Sequence, residues 1–556
     1  MSRFAPFFAT LALCAACASP AAPTAALQAA ANGVDAGADV AIAAEDVPGA
    51  ADVPKGPPQA WVFARDPVTD KKQATKVGLV PPTDPDGHLT GASVSVSNCL
   101  QEDGGLPMSQ QGYQFGHLCH EVATVVPDAD GSYLSVVPPD DYSDPGDPFA
   151  EVQMYYHVNK IHDYFHDNFG LTNMDFPLQA LVNVTMNIPA AGGWQGFPNS
   201  AFMPKEAFVQ FGLPPRDPGA IVFGQYQDVD FTYDASVIYH EYTHAEVGAT
   251  RLTGMAYDDI GMDNLPNAMN EGFADYFAAS MMDQPIIGTY ALSVMGQKMQ
   301  RDLTQKRRCP DDLTTEVHAD GKIISSAAWE IRKALGAPQT DTIILNALQS
   351  FTSDTNLAKA GKLILAEANN VDTITGGMVE KILNDHGVLG CVRTKPYVNY
   401  NVDQTAEKVP YTVEGLPAQA AAQMPKGLPG YVQFYVDVPP NSGGVELQWI
   451  AESQSQYGPP AAAVLSLAVR LAKPVLFLYM GGGDIYGDGL FDAPQSPQDQ
   501  SQKLTLTGKC TPPQGGRIYL MFLNKAADQA GITQMSLKLL APGAKAVNPV
   551  DCTPQP

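Results

Sequence analysis

The sequence is short of positive charge. Lys and Arg number 33 against 59 Asp and Glu, for a formal charge of −26. A surface of that sign repels phosphate backbones, so no nucleic-acid partner is expected. Long apolar runs are also missing. After the first 18 residues none approaches the ~20 needed to cross a bilayer, which excludes a membrane-spanning mature chain. Outside the first 18 residues no CxxC spacing occurs, so a thiolate zinc site is not expected. No internal repeat is visible. Charged residues make up only 17 %, below the ~25 % usual in soluble domains. What is present is apolar: 45 % hydrophobic residues over 556 positions can build a sizeable core. Collagen-like, coiled-coil and wholly disordered chains are excluded, and the length suits several domains of ~150 residues each.

The N-terminus reads MSRFAPFFATLALCAACASP. Arg3 precedes an apolar stretch from Phe4 to Ala16 and small residues follow, the pattern of a secretory signal over residues 1–18. Ala15 and Ala16 before Cys17 fit a lipoprotein signal, while Cys14 stands where Leu is usual. Acylation of Cys17 and simple cleavage near Ala18 both stay open. Residues 19–54 are rich in Ala, Pro, Gly and Asp without an aromatic residue, and read as a disordered tether. The chain is therefore expected to be exported, to the cell envelope or beyond. Six of the eight cysteines lie outside the signal, an even number in an exported chain, which favours disulfides. Six cysteines allow 15 pairings; grouping by segment suggests Cys99–Cys119, Cys309–Cys391 and Cys510–Cys552.

Residues 55–147 carry short alternating runs broken by Pro, Asp and Gly, the texture of a β-rich region. Asp147 and Pro148 open a helix, as cap and first helical residue, and FAEVQMYYHVNKIHDYFHDNF continues to Gly170. LQALVNVTMNI alternates as a strand with one buried face, and AIVFG is a second strand. Helical patterns cover 235–247, 268–282, 322–335, 341–352, 355–369 and 374–387. From about Val398 short β runs alternate with Gly/Pro-rich turns, the spacing of a β-sandwich. The expected layout is a domain over 148–395 and a C-terminal β-sandwich over 396–556.

The chemistry concentrates in HEYTH, residues 240–244. On a helix His240 and His244 project from one face and can hold one zinc ion, with Glu241 in reach of a water on it. Catalytic zinc needs a third protein ligand. The continuation HExxHxxGxxH fails, because Gly248 is one residue late and Thr250 stands in place of the third His. NEGFAD follows instead on a predicted helix. Glu271, 27 residues after His244, can complete the ligand set, and Asp275, one turn further, can accept the free N–H of a ligand imidazole. Two other close His pairs, His162/His166 and His117/His120, have no such surroundings and read as structural.

HEYTH, LTGMAY, NEGFAD and VHADG together resemble the fungalysin and thermolysin families of zinc metallopeptidases, with VHADGKIISSAAWEIRKALG nearest the fungalysin side. The likeness spans roughly 60–390. It implies an α+β fold in two thermolysin-like lobes, a β-rich N-lobe and a helical C-lobe, ahead of the C-terminal β-sandwich. It implies one catalytic zinc on His240, His244 and Glu271, with Asp275 behind a ligand and Glu241 as general base. It further implies His318 and Tyr257 as donors to the tetrahedral intermediate, Val237 in the pocket for the residue after the scissile bond, and Ser200 and Ala201 against the substrate backbone. In thermolysin an acidic calcium ligand stands four residues before the first His; here it is Ser236, so the resemblance does not support Ca2+ there. The 55–147 region is short for the propeptide of such families. The loop 481–492, with Asp484, Asp488 and Asp492, lacks EF-hand spacing and reads as a solvated turn rather than a calcium site.

The expected function is a secreted or lipid-anchored zinc endopeptidase, with protein or peptide substrates, membrane contact only through an N-terminal lipid, and a monomeric state. Two alternatives stand beside it. A zinc aminopeptidase would carry a GxMEN-type motif ahead of HExxH, but GMDN at 261–264 follows it. A surface adhesion protein with structural zinc would need no base at position 241 and would close all four metal positions.

Overall fold

A computed structural model describes residues 56–553, except 101–104, 111–112, 190–191, 249–251, 253–255, 294–300, 353, 403–409, 417–420, 422–423, 454–460 and 479–482. The signal and tether of residues 1–54 lie outside the described residues, as does Thr250. With 28 % helix and 32 % strand the chain is α+β.

The first half is built on a nine-stranded mixed sheet. Its centre is formed by β1 (Val94–Leu100) and β2 (Leu178–Ile188), parallel to one another. The long helix α1 (Phe149–Phe169) lies between them in sequence. Asp147 caps it, its carboxylate accepting from the backbone N–H of Phe149 at 2.9 Å and of Ala150 at 3.2 Å. Gly170, at φ 65°, ends it in the left-handed conformation that glycine reaches without strain. β3 (Ser200–Pro204) pairs antiparallel with β4 (Gly219–Tyr226), which runs parallel to β2. Strands from both sides of residue 147 thus share one sheet.

β2 departs from its expected single buried face. Leu178, Ala180 and Val182 pack into the main core with α1, while Leu181, Val184, Met186 and Ile188 pack into a separate cluster with Phe197, Phe208 and Val222. Alternation marks a half-exposed strand only when one face meets water. Here β2 is central and each face meets its own apolar layer.

Six helices follow. α2 (Ala235–Thr243) runs into a π-helical turn over His244–Gly248. After the hairpin β5 (Ala256–Asp258) and β6 (Gly261–Asp263) comes α3 (Leu265–Met282). α4 (Val317–Leu335), α5 (Ala337–Gln349), α6 (Leu357–Val371) and α7 (Thr373–Asp385) complete the set. α4 begins five residues before the expected 322, because Glu316 caps it by accepting from the N–H groups of His318 and Ala319. His318 is thereby fixed in its first turn. α3 and α4 cross in close contact at two glycines: a Cβ on Gly272 would lie 2.4 Å from the carbonyl oxygen of Gly321.

Beyond residue 393 two antiparallel-dominated sheets share one apolar cluster. The first includes β7 (Gln433–Val438), β9 (Leu465–Leu471) and β12 (Gly516–Asn524). The second includes β8 (Gly444–Ser453), β11 (Gln502–Thr507) and β13 (Ala530–Leu540). A two-stranded ribbon contains β10 (Leu476–Leu478). Trp449 is fully buried in the shared core, and its indole N–H donates to Gln502 at 2.9 Å. Three disulfides are present: Cys99–Cys119, Cys309–Cys391 and Cys510–Cys552. No described helix is long and apolar enough to cross a membrane.

Candidate metal centre

α2 enters the core capped by Asp234. One carboxylate oxygen takes the backbone N–H of Ser236 and the other takes the N–H groups of Tyr290 and Ala291. The Ser236 hydroxyl donates to Asp234 and accepts from Gly288 N at 2.9 Å, so Ser236 is engaged in internal hydrogen bonds. One turn on, the rings of His240 and His244 lie edge to face with Nε2 atoms 3.0 Å apart. α3 crosses beneath them and supplies three side chains. Glu271 Oε2 lies 3.2 Å from His240 Nε2 and 3.7 Å from His244 Nε2. Asp275 Oδ1 lies 2.9 Å from His240 Nδ1, and Asn270 Oδ1 lies 3.0 Å from His244 Nδ1. Each imidazole is therefore fixed from behind by an oxygen, which leaves the Nε2 lone pairs to point inward.

These residues fit a metal ion. Two imidazole nitrogens and a carboxylate converge on one point, and N/O donors of this kind suit zinc. The electrostatics agree. Burial and Arg301 oppose a charge on His240, but Asp275 and Glu271 outweigh them and raise its pKa to about 9. Burial holds His244 below its ordinary value. Burial pushes Glu271 up, yet the charges of His318, His244 and His240 hold it well below the carboxylate range. The pocket favours positive charge between the rings, and one dication satisfies both nitrogens where one proton satisfies only one.

Glu241 reaches from the same helix to β3. Its Oε2 accepts from the backbone N–H of Phe202 at 2.8 Å and its Oε1 from the Ser200 hydroxyl at 3.1 Å. A ligand atom from each of His240, Glu241 and His244 lies within 4.8 Å of the others. Ala201 and Val237 are buried beside them, in β3 and one turn before His240.

His318 reaches the cluster from α4, its Nε2 3.3 Å from Glu271 Oε2. Its Nδ1 lies 2.7 Å from Glu316. Burial disfavours a charged ring, but Glu271 and Glu316 overcome that and raise its pKa. Tyr257 lies on β5 with 49 % of its surface exposed, and the groups above assemble without it.

Four contributors escape a reading of the sequence. Arg301 brings a guanidinium to 3.1 Å from Asp275 and 3.5 Å from Glu271, offsetting two buried carboxylates. It is 30 residues from Glu271, and no local pattern marks it. The Phe202 N–H has no side-chain signature. Asn270 and Glu316 adjoin residues that were singled out, and the acid-x-His order at 316–318 is the one signal that spacing offered. The other His pairs form ordinary polar contacts. His162 lies 3.0 Å from Asp175, His166 lies 2.8 Å from Asp167, and His117 pairs with Gln114. In the acidic loop Asp488 accepts from Leu471 N, and Asp492 pairs with Lys525 and Ser466.

Comparison with curated proteins finds no match. Among solved structures, a family GH115 4-O-methyl-α-glucuronidase with specificity for decorated arabinogalactans is similar at 11 % identity and a TM-score of 0.12. That alignment covers 55 % of this chain and spans 41 % of the other, and it carries no argument. Residues 218–339 match the model of the fungalysin metallopeptidases (M36), and this stretch, which holds every group from His240 to His318 described above, is similar to that family.

Proposed function

We propose that the protein is an exported zinc endopeptidase that cuts peptide bonds within proteins. The observation that carries the reading is the convergence of His240, His244 and Glu271 beside a carboxylate, Glu241, held against an edge strand. Bound zinc would supply Lewis-acid polarisation of a water and of the scissile carbonyl. The chain's own residues do the rest. Glu241 takes the proton of the attacking water and passes it to the departing amine. His318, aimed by Glu316, donates through Nε2 to the developing oxyanion. β3, with Ser200 and Ala201, aligns the substrate backbone as an added strand, and Val237 lines the pocket for the residue after the cut. Tyr257 is a second candidate donor.

In this reading residues 148–395 form the catalytic domain, joined by the strands of 55–147 into two thermolysin-like lobes. Residues 396–556 form a β-sandwich. The three disulfides accord with an oxidising, extracellular setting. A signal over 1–18, a tether to residue 54, possible acylation of Cys17, protein or peptide substrates and a monomeric state complete the proposal. The aminopeptidase alternative loses ground on one observation: Gly261 and Asp263 of GMDN are engaged with Arg393.

Casein zymography with and without a chelator tests the reading. Clearing that disappears with chelator and returns with zinc is expected. Activity confined to small amino-terminal amides supports the exopeptidase instead, and no clearing supports a structural zinc.

A further inference from the structure

Between the helix of the two histidines and the helix of Glu271 stands the hairpin β5–β6. Its outer face docks on the C-terminal sheets. Met262 inserts into a cluster otherwise made of Leu416, Met424, Tyr431, Val475, Phe477 and their neighbours beyond residue 393. Gly261, at φ +113°, lets the turn approach β10: a Cβ there would lie 2.4 Å from the Phe477 carbonyl oxygen.

One side chain ties this contact together. Arg393, 4 % exposed, forks onto Asp258, with Nε to Oδ2 at 2.9 Å and Nη2 to Oδ1. Nη2 also donates to the Gly261 carbonyl at 3.2 Å, Nη1 donates to the Tyr431 carbonyl, and Nε lies 3.4 Å from Asp263 Oδ1. Asp263 in turn accepts from the backbone N–H of Leu265 at 3.0 Å, at the first residue of α3. Arg393 thus connects the C-terminal sheets to the hairpin and to the start of the helix that carries Asn270, Glu271 and Asp275. A second tie reaches the loop before His318. Thr412 N donates to the Thr314 carbonyl at 2.9 Å, Thr315 donates to the Thr412 carbonyl, and Lys395 donates to the carbonyls of Asp311 and Leu313.

We propose that the C-terminal β region is a working part of the metal centre, with Arg393 as the positioning residue that sets Glu271 through the hairpin and α3. A detachable binding module would meet the catalytic half through an exposed polar surface and a linker. This contact instead holds a buried arginine forked onto a quarter-exposed carboxylate, beside an apolar plug, geometry that fixes orientation as well as attachment. The inference rests on the metallopeptidase reading for its activity arm, and a spectroscopic arm stands apart from it.

The test uses the full chain with zinc replaced by cobalt(II), whose visible absorption reports ligand geometry. Arg393→Ala is compared with Arg393→Lys, Asp258→Asn and the double variant. Arg517→Ala, at the exposed pair with Asp437 in the C-terminal region, serves as control. The expected result for Arg393→Ala is an altered cobalt spectrum and a 10- to 100-fold lower kcat, with KM within threefold. Arg393→Lys, which keeps the charge without the fork, lies between Arg393→Ala and the parent. The double variant is no worse than Arg393→Ala, and the control matches the parent. A parent-like spectrum and kcat in Arg393→Ala, with only the melting temperature lowered, overturns the proposal. Additive losses in the double variant overturn it as well. If Arg393→Ala does not fold, Arg393→Lys and Asp258→Asn decide by the same two readouts. A parent that binds cobalt but cleaves nothing overturns the peptidase reading instead, and the spectra still decide the role of Arg393.

Discussion

Gly272→Ala places one methyl group where α3 and α4 touch. The added Cβ would lie 2.4 Å from the Gly321 carbonyl oxygen and 2.4 Å from Ile324 Cγ2. Ordinary contact begins near 3.4 Å, so the helices must part by about 1 Å, and overpacking of this kind costs about 1–3 kcal/mol. Glu271 precedes the altered position, and His318 stands on the opposite helix 3.3 Å from its carboxylate. A displacement of about 1 Å between groups that act on one substrate lowers turnover by roughly 100-fold. Peptide cleavage is measured well below the melting temperature, so that loss of folded protein does not enter, and zinc retention is followed against a competing chelator. The control is Gly377→Ala in α7, where a Cβ meets nothing within 4 Å. There the exchange should stabilise by up to about 1 kcal/mol through helix propensity alone. A Gly272→Ala protein with parental kcat and melting temperature refutes the idea that glycine contact holds the two catalytic helices in register.

Other consequences are open to measurement. Glu241→Gln should retain zinc and lose turnover by about 10²–10⁴-fold; normal casein digestion by that variant removes Glu241 from the role of base. Glu316→Gln withdraws the charge 2.7 Å from His318, and loss of a charged hydrogen bond predicts a kcat about 10- to 100-fold lower at unchanged zinc content. Asp230 is fully buried, and burial, against the hydrogen bond from Gln225, raises its pKa to about 7. A carboxyl raised in the folded state contributes stability below its unfolded pKa and loses it as pH rises to the folded one. Relative to Asp230→Asn, the parent should lose up to roughly 4 kcal/mol between pH 4 and 7. Urea midpoints of both proteins at each pH check this, and parallel curves refute it. Trp449→Ala should cost about 3–5 kcal/mol from the C-terminal core, seen as a lower melting temperature.

What could be read from the sequence was what is local. Spacing places His240 and His244 on one helical face and Glu271 one turn from Asp275, because the α-helix fixes those relations within a few residues. The strand over 178–188 and the six later helices were equally legible from periodicity. The starts of α3 and α4 were not, since caps such as Glu316 override the apolar pattern. Nor was the burial of both faces of β2, which depends on what the rest of the chain lays over it. Arg301 and Arg393 lay beyond reach for the same reason. Each acts on carboxylates far away in sequence, and such distances are set by the packing of whole helices and sheets.

The bond between Cys309 and Cys391, 82 residues apart, encloses all of α4 to α7. With the proposed activity the molecule is exposed to its own kind, and exposed turns inside that span are where stray cuts would fall. One cut there opens a closed ring without freeing an end. His318 would stay fastened to the segment leading to Arg393, and the nicked molecule would migrate as one piece until a reductant parted it.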